Sequence, residues 1–165
     1  MGRSSLVLIA LLVGSPAFAQ EPVGCDKFKW PLDHERALLA SPSQTASGGD
    51  MEKPLAAAVM VKLAPFADAH LPAAPSRAPK SHDSYAGFVR VPALPKPATY
   101  RITLSEGAWI DVVQDGNVVK SGAFSGATGC EGVRKSVKFD LAATPFIIEI
   151  SGTTVQSIAI VVTPD

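Results

Sequence analysis

Apolar and polar residues alternate regularly from Thr99 to the end of the chain. Tyr100, Ile102 and Leu104, for example, are separated by polar neighbours. A period of two is typical of a strand that buries one face. The Asp115-Gly116 pair predicts a hairpin, because a two-residue type I′ turn needs positive φ at both positions. Six strands are predicted here, around residues 99–105, 109–114, 118–124, 136–141, 146–150 and 158–162.

The pattern before Thr99 is weaker. Residues 31–40 predict a short helix, since Pro31 suits a first helical position and acidic residues follow it. Residues 41–50 predict a polar loop. Leu55 to Leu63 predicts a strand, although its three alanines could also begin a helix, and Ser84 to Val91 predicts an edge strand. Seven prolines between residues 64 and 98 predict extended connections over the surface.

These segments predict a mainly β fold. Antiparallel sheets packed face to face, with about eight strands in all, indicate a jelly-roll-like β-sandwich. The sandwich is expected to span residues 55–165, with residues 20–54 forming a coil and one short helix packed on it. The chain length fits a single domain.

Residues 1–19 predict a cleavable secretory signal peptide. Arg3 precedes an apolar run from Leu6 to Gly14, and Ala17-Phe18-Ala19 places small residues where a signal peptidase cleaves. The apolar run is too short to span a bilayer, which takes about 20 residues. We therefore expect cleavage between Ala19 and Gln20, a periplasmic or secreted protein, and no membrane span.

The two cysteines, Cys25 and Cys130, predict a disulfide, because a lone pair in an oxidising compartment usually forms one. Two separate buried thiols are the alternative. The chain has no CxxC motif, so a structural bridge is expected. With 15 basic and 15 acidic residues, the chain also lacks the positive field that nucleic acid binding requires.

Trp109 and Asp111 are the first candidate surface-binding residues. If Ile110 and Val112 face the core, these two side chains face outward, where a tryptophan can stack on a sugar or anchor a partner. Alternatively, Trp109 fills the far side of the sandwich beneath the N-terminal segment. The other candidates are Arg134 and Lys135, which could form a basic face for an anionic polymer together with Arg101, Lys120 and Lys138.

Signals for catalysis are weak. An iron oxygenase needs two histidines and a carboxylate around the metal, but His34, His70 and His82 all precede the regular strands. No metal site or cofactor is therefore predicted. Paired carboxylates are available for hydrolysis, yet each fits a turn or a solvent-facing strand position. They are Glu106, Asp111, Asp115, Glu131 and Glu149.

Two resemblances add expectations. The segment from Tyr100-Arg101-Ile102-Thr103-Leu104 to Val162 resembles bacterial pre-peptidase C-terminal domains, which implies a β-sandwich accessory module of a secreted protein. The Cys25-Asp26-Lys27-Phe28-Lys29-Trp30-Pro31 opening and the residue 108–116 block are similar to small exported proteins of alphaproteobacteria. Some of those proteins carry a homogentisate dioxygenase label.

The sequence favours a non-catalytic binding or accessory module of the cell envelope, whose partner is an envelope protein or a glycan. The main alternative is an enzyme of unrecognised type, with a homogentisate 1,2-dioxygenase-like non-haem iron oxygenase as the named instance. A third class is a structural subunit that assembles through an open sheet edge.

Overall fold

The computed structural model describes residues 21–165, which form two β-sheets around a shared core. The predicted signal peptide at residues 1–19 lies outside the described residues. Two short 3-10 turns accompany one helix and twelve strands in the described part. The elements are α1 (Asp33–Leu39), β1 (Ser43–Ala46), β2 (Gly49–Asp50), β3 (Val59–Lys62), β4 (Ala64–Pro65), β5 (Tyr85–Val91), β6 (Ala98–Leu104), β7 (Trp109–Gln114), β8 (Asn117–Val119), β9 (Ser121–Gly126), β10 (Lys135–Leu141), β11 (Phe146–Thr153) and β12 (Ser157–Pro164).

The strands are divided between a first sheet, ordered β1-β3-β12-β6-β10-β9, and a second sheet, ordered β2-β5-β11-β7-β8 with β4 beside β5. This arrangement confirms the predicted mainly β sandwich. Both sheets are mixed, however, because β1 pairs with β3 and β2 with β5 in parallel. The strand count exceeds the predicted eight because β1, β2, β4 and β8 are two to four residues long. Strands this short have no periodic pattern to reveal them.

The core lies between the sheets and consists of the alternating apolar residues that the pattern predicts. Ile102 and Leu104 contribute from the first sheet, and Val89, Ile148 and Ile150 from the second. All five are fully buried. Because a one-residue shift would turn every such side chain to the other face, this alternation fixes the register of the long strands.

The Asp115-Gly116 hairpin forms as predicted, with φ of 51° and 77° at its two central residues. The strand that returns from it is divided. β8 pairs with β7 in the second sheet, whereas β9 pairs with β10 in the first. The chain therefore crosses from one sheet to the other at Lys120. One side of the sandwich is consequently bounded by the edge strands β8 and β9.

The N-terminal segment packs on the outer face of the first sheet. Leu32 and Leu39 join Val161 of β12 in a second apolar cluster. The predicted disulfide is confirmed, since Cys25 and Cys130 are bonded with their Cα atoms 4.7 Å apart. Such a bridge is typical of proteins from oxidising compartments. Within residues 21–165, no helix is long and apolar enough to cross a bilayer.

Two local predictions need correction. The polar stretch 41–50 was expected to be a loop, but it contains β1 and β2, which extend the two sheets by parallel pairing. Ser84 to Val91 was expected at a sheet edge, but β5 lies between β11 and the short strands β2 and β4. In both cases backbone hydrogen bonds to a distant part of the chain decide the pairing, and local composition does not report them.

Candidate functional site

A proline-rich segment crosses the outer face of the second sheet. This segment, residues 69–79, is called the strap here, and it contains Pro72, Pro75 and Pro79. Proline spacing of this kind prevents helix formation and strand pairing, so the N–H groups of the other residues need acceptors outside the strap. Two carboxylates on the sheet supply them.

The carboxylates belong to Asp111 of β7 and Glu149 of β11, which are directly opposite each other in the antiparallel register. Both were expected at solvent-facing strand positions. They do lie on the outer face, since Ile110 and Val112 point into the core. The expectation of solvent exposure was wrong, because the strap covers them and leaves Asp111 5% and Glu149 2% exposed.

Backbone N–H groups of the strap donate to both carboxylates. The Ala73 N–H lies 2.7 Å from Glu149 Oε1, and the Ser76 N–H lies 3.0 Å from Asp111 Oδ2. The Ser76 hydroxyl also hydrogen-bonds Asp111 Oδ1. The Trp109 indole N–H completes the group, 2.9 Å from Ser76 Oγ and 3.2 Å from Asp111 Oδ1. The two acids therefore fasten the strap to the sheet.

The electrostatic environment shifts the pKa values of Glu149 and of Lys135, a residue of β10 that lies beside Trp109. Burial raises the pKa of Glu149, the charge of Asp111 raises it further, and the Ala73 hydrogen bond opposes the shift. Burial also lowers the pKa of Lys135, reinforced by Arg77 and Arg134 and opposed by Asp111. Each shift disfavours the charged form, as expected for an ionisable group removed from water.

The raised pKa of Glu149 predicts a stability that depends on pH. The folded protein holds the Glu149 proton more tightly than the unfolded chain does, whose glutamate pKa is about 4.5. The contribution of Glu149 to stability is therefore full below that value and decreases as pH rises through the folded pKa. Glu149→Gln cannot titrate, and its amide oxygen can still accept from Ala73.

We accordingly expect the parent to lose stability relative to Glu149→Gln as the pH rises above about 4.5, measured by urea unfolding. Glu106→Gln, at an exposed turn position, is the matched control and should follow the parent. Equal pH dependence in the parent and in Glu149→Gln would contradict the assignment.

Two cations lie over the ring of Trp109. The Arg77 guanidinium carbon is 5.2 Å from the ring centroid, and Lys135 Nζ is 5.0 Å from it. Lys135 also donates to the Ala108 carbonyl at 2.8 Å. Trp109 thus lies on the outer face, one of the two placements that the sequence left open, and remains half-buried. What covers it is the strap, whereas the alternative prediction placed the N-terminal segment there.

Three of the four candidate binding residues therefore meet, and they form what is called the Trp109 cluster: Trp109, Asp111 and Lys135. Arg134 does not join them, because it forms an ion pair with Glu21. The wider basic face is also largely neutralised: Arg101 is paired with Glu35 and Asp165, and Lys138 with Asp165. Few of these cations are therefore left unpaired to form a basic surface for a polymer.

A cavity of about 200 Å³ opens beside Trp109, on the side of the sandwich bounded by β8 and β9. It is called the side cavity here. The core residues Ile110 and Phe139 form part of its wall. Its polar and aromatic lining comes from three different elements and the chain crossing, and comprises Ser76, Trp109, Asp111, Lys120 and Ser121.

The three histidines lie in different parts of the structure. His34 lies in α1, His70 in the strap with φ of 46°, and His82 in a turn, and all three are exposed. Across residues 21–165, no three His, Cys, Asp or Glu side chains are grouped so that they could hold a metal ion. The iron oxygenase stays an alternative hypothesis, which the iron content of the purified protein would test.

Sequence reasoning missed a third buried acid, in the helix that packs on the first sheet. Glu35 of α1 is 1% exposed, and its Oε1 accepts from the Thr163 hydroxyl at 2.6 Å and pairs with Arg101 at 3.2 Å. Its Oε2 has no hydrogen-bond partner in the described part of the chain. The available signal was the position of Glu35 within α1, since it is three residues after Leu32 and four before Leu39, which are on the buried face.

Comparison of the chain with models of known families, with curated proteins and with solved structures gave no significant match. The resemblances to pre-peptidase C-terminal domains and to small alphaproteobacterial proteins therefore stay predictions. The geometry of the Trp109 cluster and the side cavity is the basis for a functional proposal.

Proposed function

We propose that this protein is a non-catalytic binding module of the cell envelope, exported to the periplasm, that binds a glycan carrying negative charge. The observation that carries the proposal is the meeting of Trp109, Asp111 and Lys135 beside the side cavity. An aromatic ring with a few convergent polar groups beside a concave surface is typical of ligand sites.

The balance of charges favours an anionic ligand. Arg77, Lys120 and Lys135 contribute three positive charges around Trp109 and the side cavity. Asp111 and Glu149 can contribute two negative charges, but both are engaged by N–H groups of the strap. Ligand carboxylates or phosphates would therefore meet the cations, while sugar hydroxyls could bond Ser76 and Ser121 at the cavity wall.

The test is a titration of the purified protein with soluble peptidoglycan fragments, whose carboxylates are anionic, and with neutral chito-oligosaccharides of similar length. We expect a dissociation constant on the order of 0.1–1 mM for the anionic fragments by calorimetry, and weaker binding of the neutral ones. Trp109→Ala and Lys135→Met should each weaken binding about tenfold, which corresponds to about 1.4 kcal/mol.

The first sheet offers matched controls. Lys138 Nζ lies 4.6 Å from the centroid of the Trp30 ring, so the pair repeats the Lys135–Trp109 contact on a different face. Trp30→Ala and Lys138→Met should leave binding within about twofold of the parent. Binding reduced equally by variants of both pairs would indicate a general loss of structure and would overturn the assignment of the Trp109 cluster.

An enzyme is the second candidate, favoured by the opposite pKa shifts of Glu149 and Lys135, since perturbed groups are frequent in active sites. A catalytic Glu149 would require the strap to lift, because Ala73 covers one carboxylate oxygen. Chromatography of the same fragments after incubation separates the two functions. Cleavage by the parent that is lost in Glu149→Gln would support the enzyme, and intact fragments would support the binding module.

A further inference from the structure

A second surface lies on the edge strand β9, next to the side cavity, with which it shares Lys120 and Ser121. Within the described residues, β9 pairs with β10 alone, so its other edge is the end of the first sheet. Residues 121–124 are all exposed. Two of the three large apolar side chains that are exposed lie along the β8–β9 path, at 48% for Val118 and 61% for Phe124.

Phe124 lies on the core-facing side of β9, but no strand covers its side chain. It is directly opposite Val137 in the ladder, and Val137 is a buried member of the core. Residues opposite each other on neighbouring strands point to the same face. The second sheet ends at β8, whose last residue is Val119, so Phe124 lies beyond the strands that would cover it.

The charged groups beside Phe124 and at the chain crossing are lysines. Lys29 Nζ lies 5.1 Å from the centroid of the Phe124 ring, and Lys120 is the exposed residue between β8 and β9. Neither lysine takes part in an ion pair with any residue from 21 to 165. Two copies paired edge to edge would place all four lysines along one joint to which neither β9 contributes an acid, and unneutralised like charges are destabilising. An acidic partner would neutralise them.

We propose that β9 is the docking edge for an extended, acidic segment of a partner protein. The segment pairs with the backbone of Ser121–Gly126, places an apolar side chain against Phe124, and carries Asp or Glu beside Lys29 and Lys120. Strand addition of this kind obtains affinity from main-chain hydrogen bonds and specificity from alternate side chains. Lysines at an edge prevent self-pairing and leave an acidic strand free to bind.

The probe is a fluorescent ten-residue peptide that alternates glutamate with valine, compared with a peptide in which every glutamate is replaced by lysine. We expect the acidic peptide to bind the purified protein with a dissociation constant of roughly 10–500 µM by anisotropy. The lysine peptide should bind at least about tenfold more weakly. Amide resonances of Ser121–Gly126 should shift on binding, whereas those of β1 and β2 at the opposite edges should not.

Substitutions at the edge test whether the acidic peptide binds to β9. Phe124→Ser and the Lys29→Glu/Lys120→Glu pair should each weaken the acidic peptide by at least about tenfold. Phe124 is exposed, so its variant should retain the parent melting temperature. Lys96→Glu, an exposed charge change in another loop, is the matched control. No binding at 1 mM peptide, equal binding by Phe124→Ser, or dimerisation of the parent through β9 in sedimentation would each overturn the proposal.

Discussion

Replacing Cys25 and Cys130 together with alanine is expected to lower the free energy of unfolding by about 4 kcal/mol. The bridge joins residues 105 positions apart, and a cross-link that closes so long a loop removes much of the conformational entropy of the unfolded chain. Both cysteines are changed so that the variant carries no free thiol that could form bridges between molecules.

Native contacts other than the disulfide also hold the N-terminal segment on the first sheet. The Trp30 indole N–H bonds Ser136 Oγ at 3.2 Å, and Leu32 and Leu39 remain buried against the first sheet. The variant should therefore fold, with a lower midpoint of guanidinium unfolding. Reduction of the parent should produce a similar loss. A decrease of less than about 1 kcal/mol in both samples would show that the bridge constrains the unfolded chain little.

Long alternating segments made the sandwich predictable from sequence. β6, β7, β10, β11 and β12 each contribute alternate residues to the core between the sheets, and a period of two has no other simple explanation over such lengths. The division of the return strand at Lys120 was not predictable, because both halves continue the same extended pattern. β8 and β9 differ only in their pairing partners, which are set by tertiary contacts.

The candidate site was predictable in part for a similar reason. Alternation placed Trp109 and Asp111 on the outer face, but it gave no sign that the strap would cover them. Glu149 looked like an ordinary polar position on β11 until the register put it opposite Asp111. Ser76 carries no local signal, since its role depends on where an irregular, proline-rich segment crosses the sheet.

Glu35→Ala is expected to lower the free energy of unfolding by about 3 kcal/mol, because it removes one partner of a buried ion pair. Arg101, with a side chain 16% exposed, would lose the carboxylate at 3.2 Å and retain Asp165 at 3.7 Å as its one ion-pair partner among the described residues, beside its hydrogen bonds to the Pro31 and Pro164 carbonyls. Thr163 would lose its acceptor as well. Unfolding followed by tryptophan fluorescence would measure the loss, with Trp30 reporting on the N-terminal segment.

Two further variants show whether the loss comes from the broken pair or from the helix. Asp33→Ala changes an acid in the first turn of the same helix whose side chain is 92% exposed, so it should cost less than about 0.5 kcal/mol. Glu35→Leu/Arg101→Met removes both charges and keeps most of the volume. It should be more stable than Glu35→Ala by about 1–2 kcal/mol, because an unpaired buried charge costs more than an apolar pair. A double variant as unstable as Glu35→Ala would assign the loss to packing, and the polar contacts of Glu35 would then serve only to orient α1 on β12.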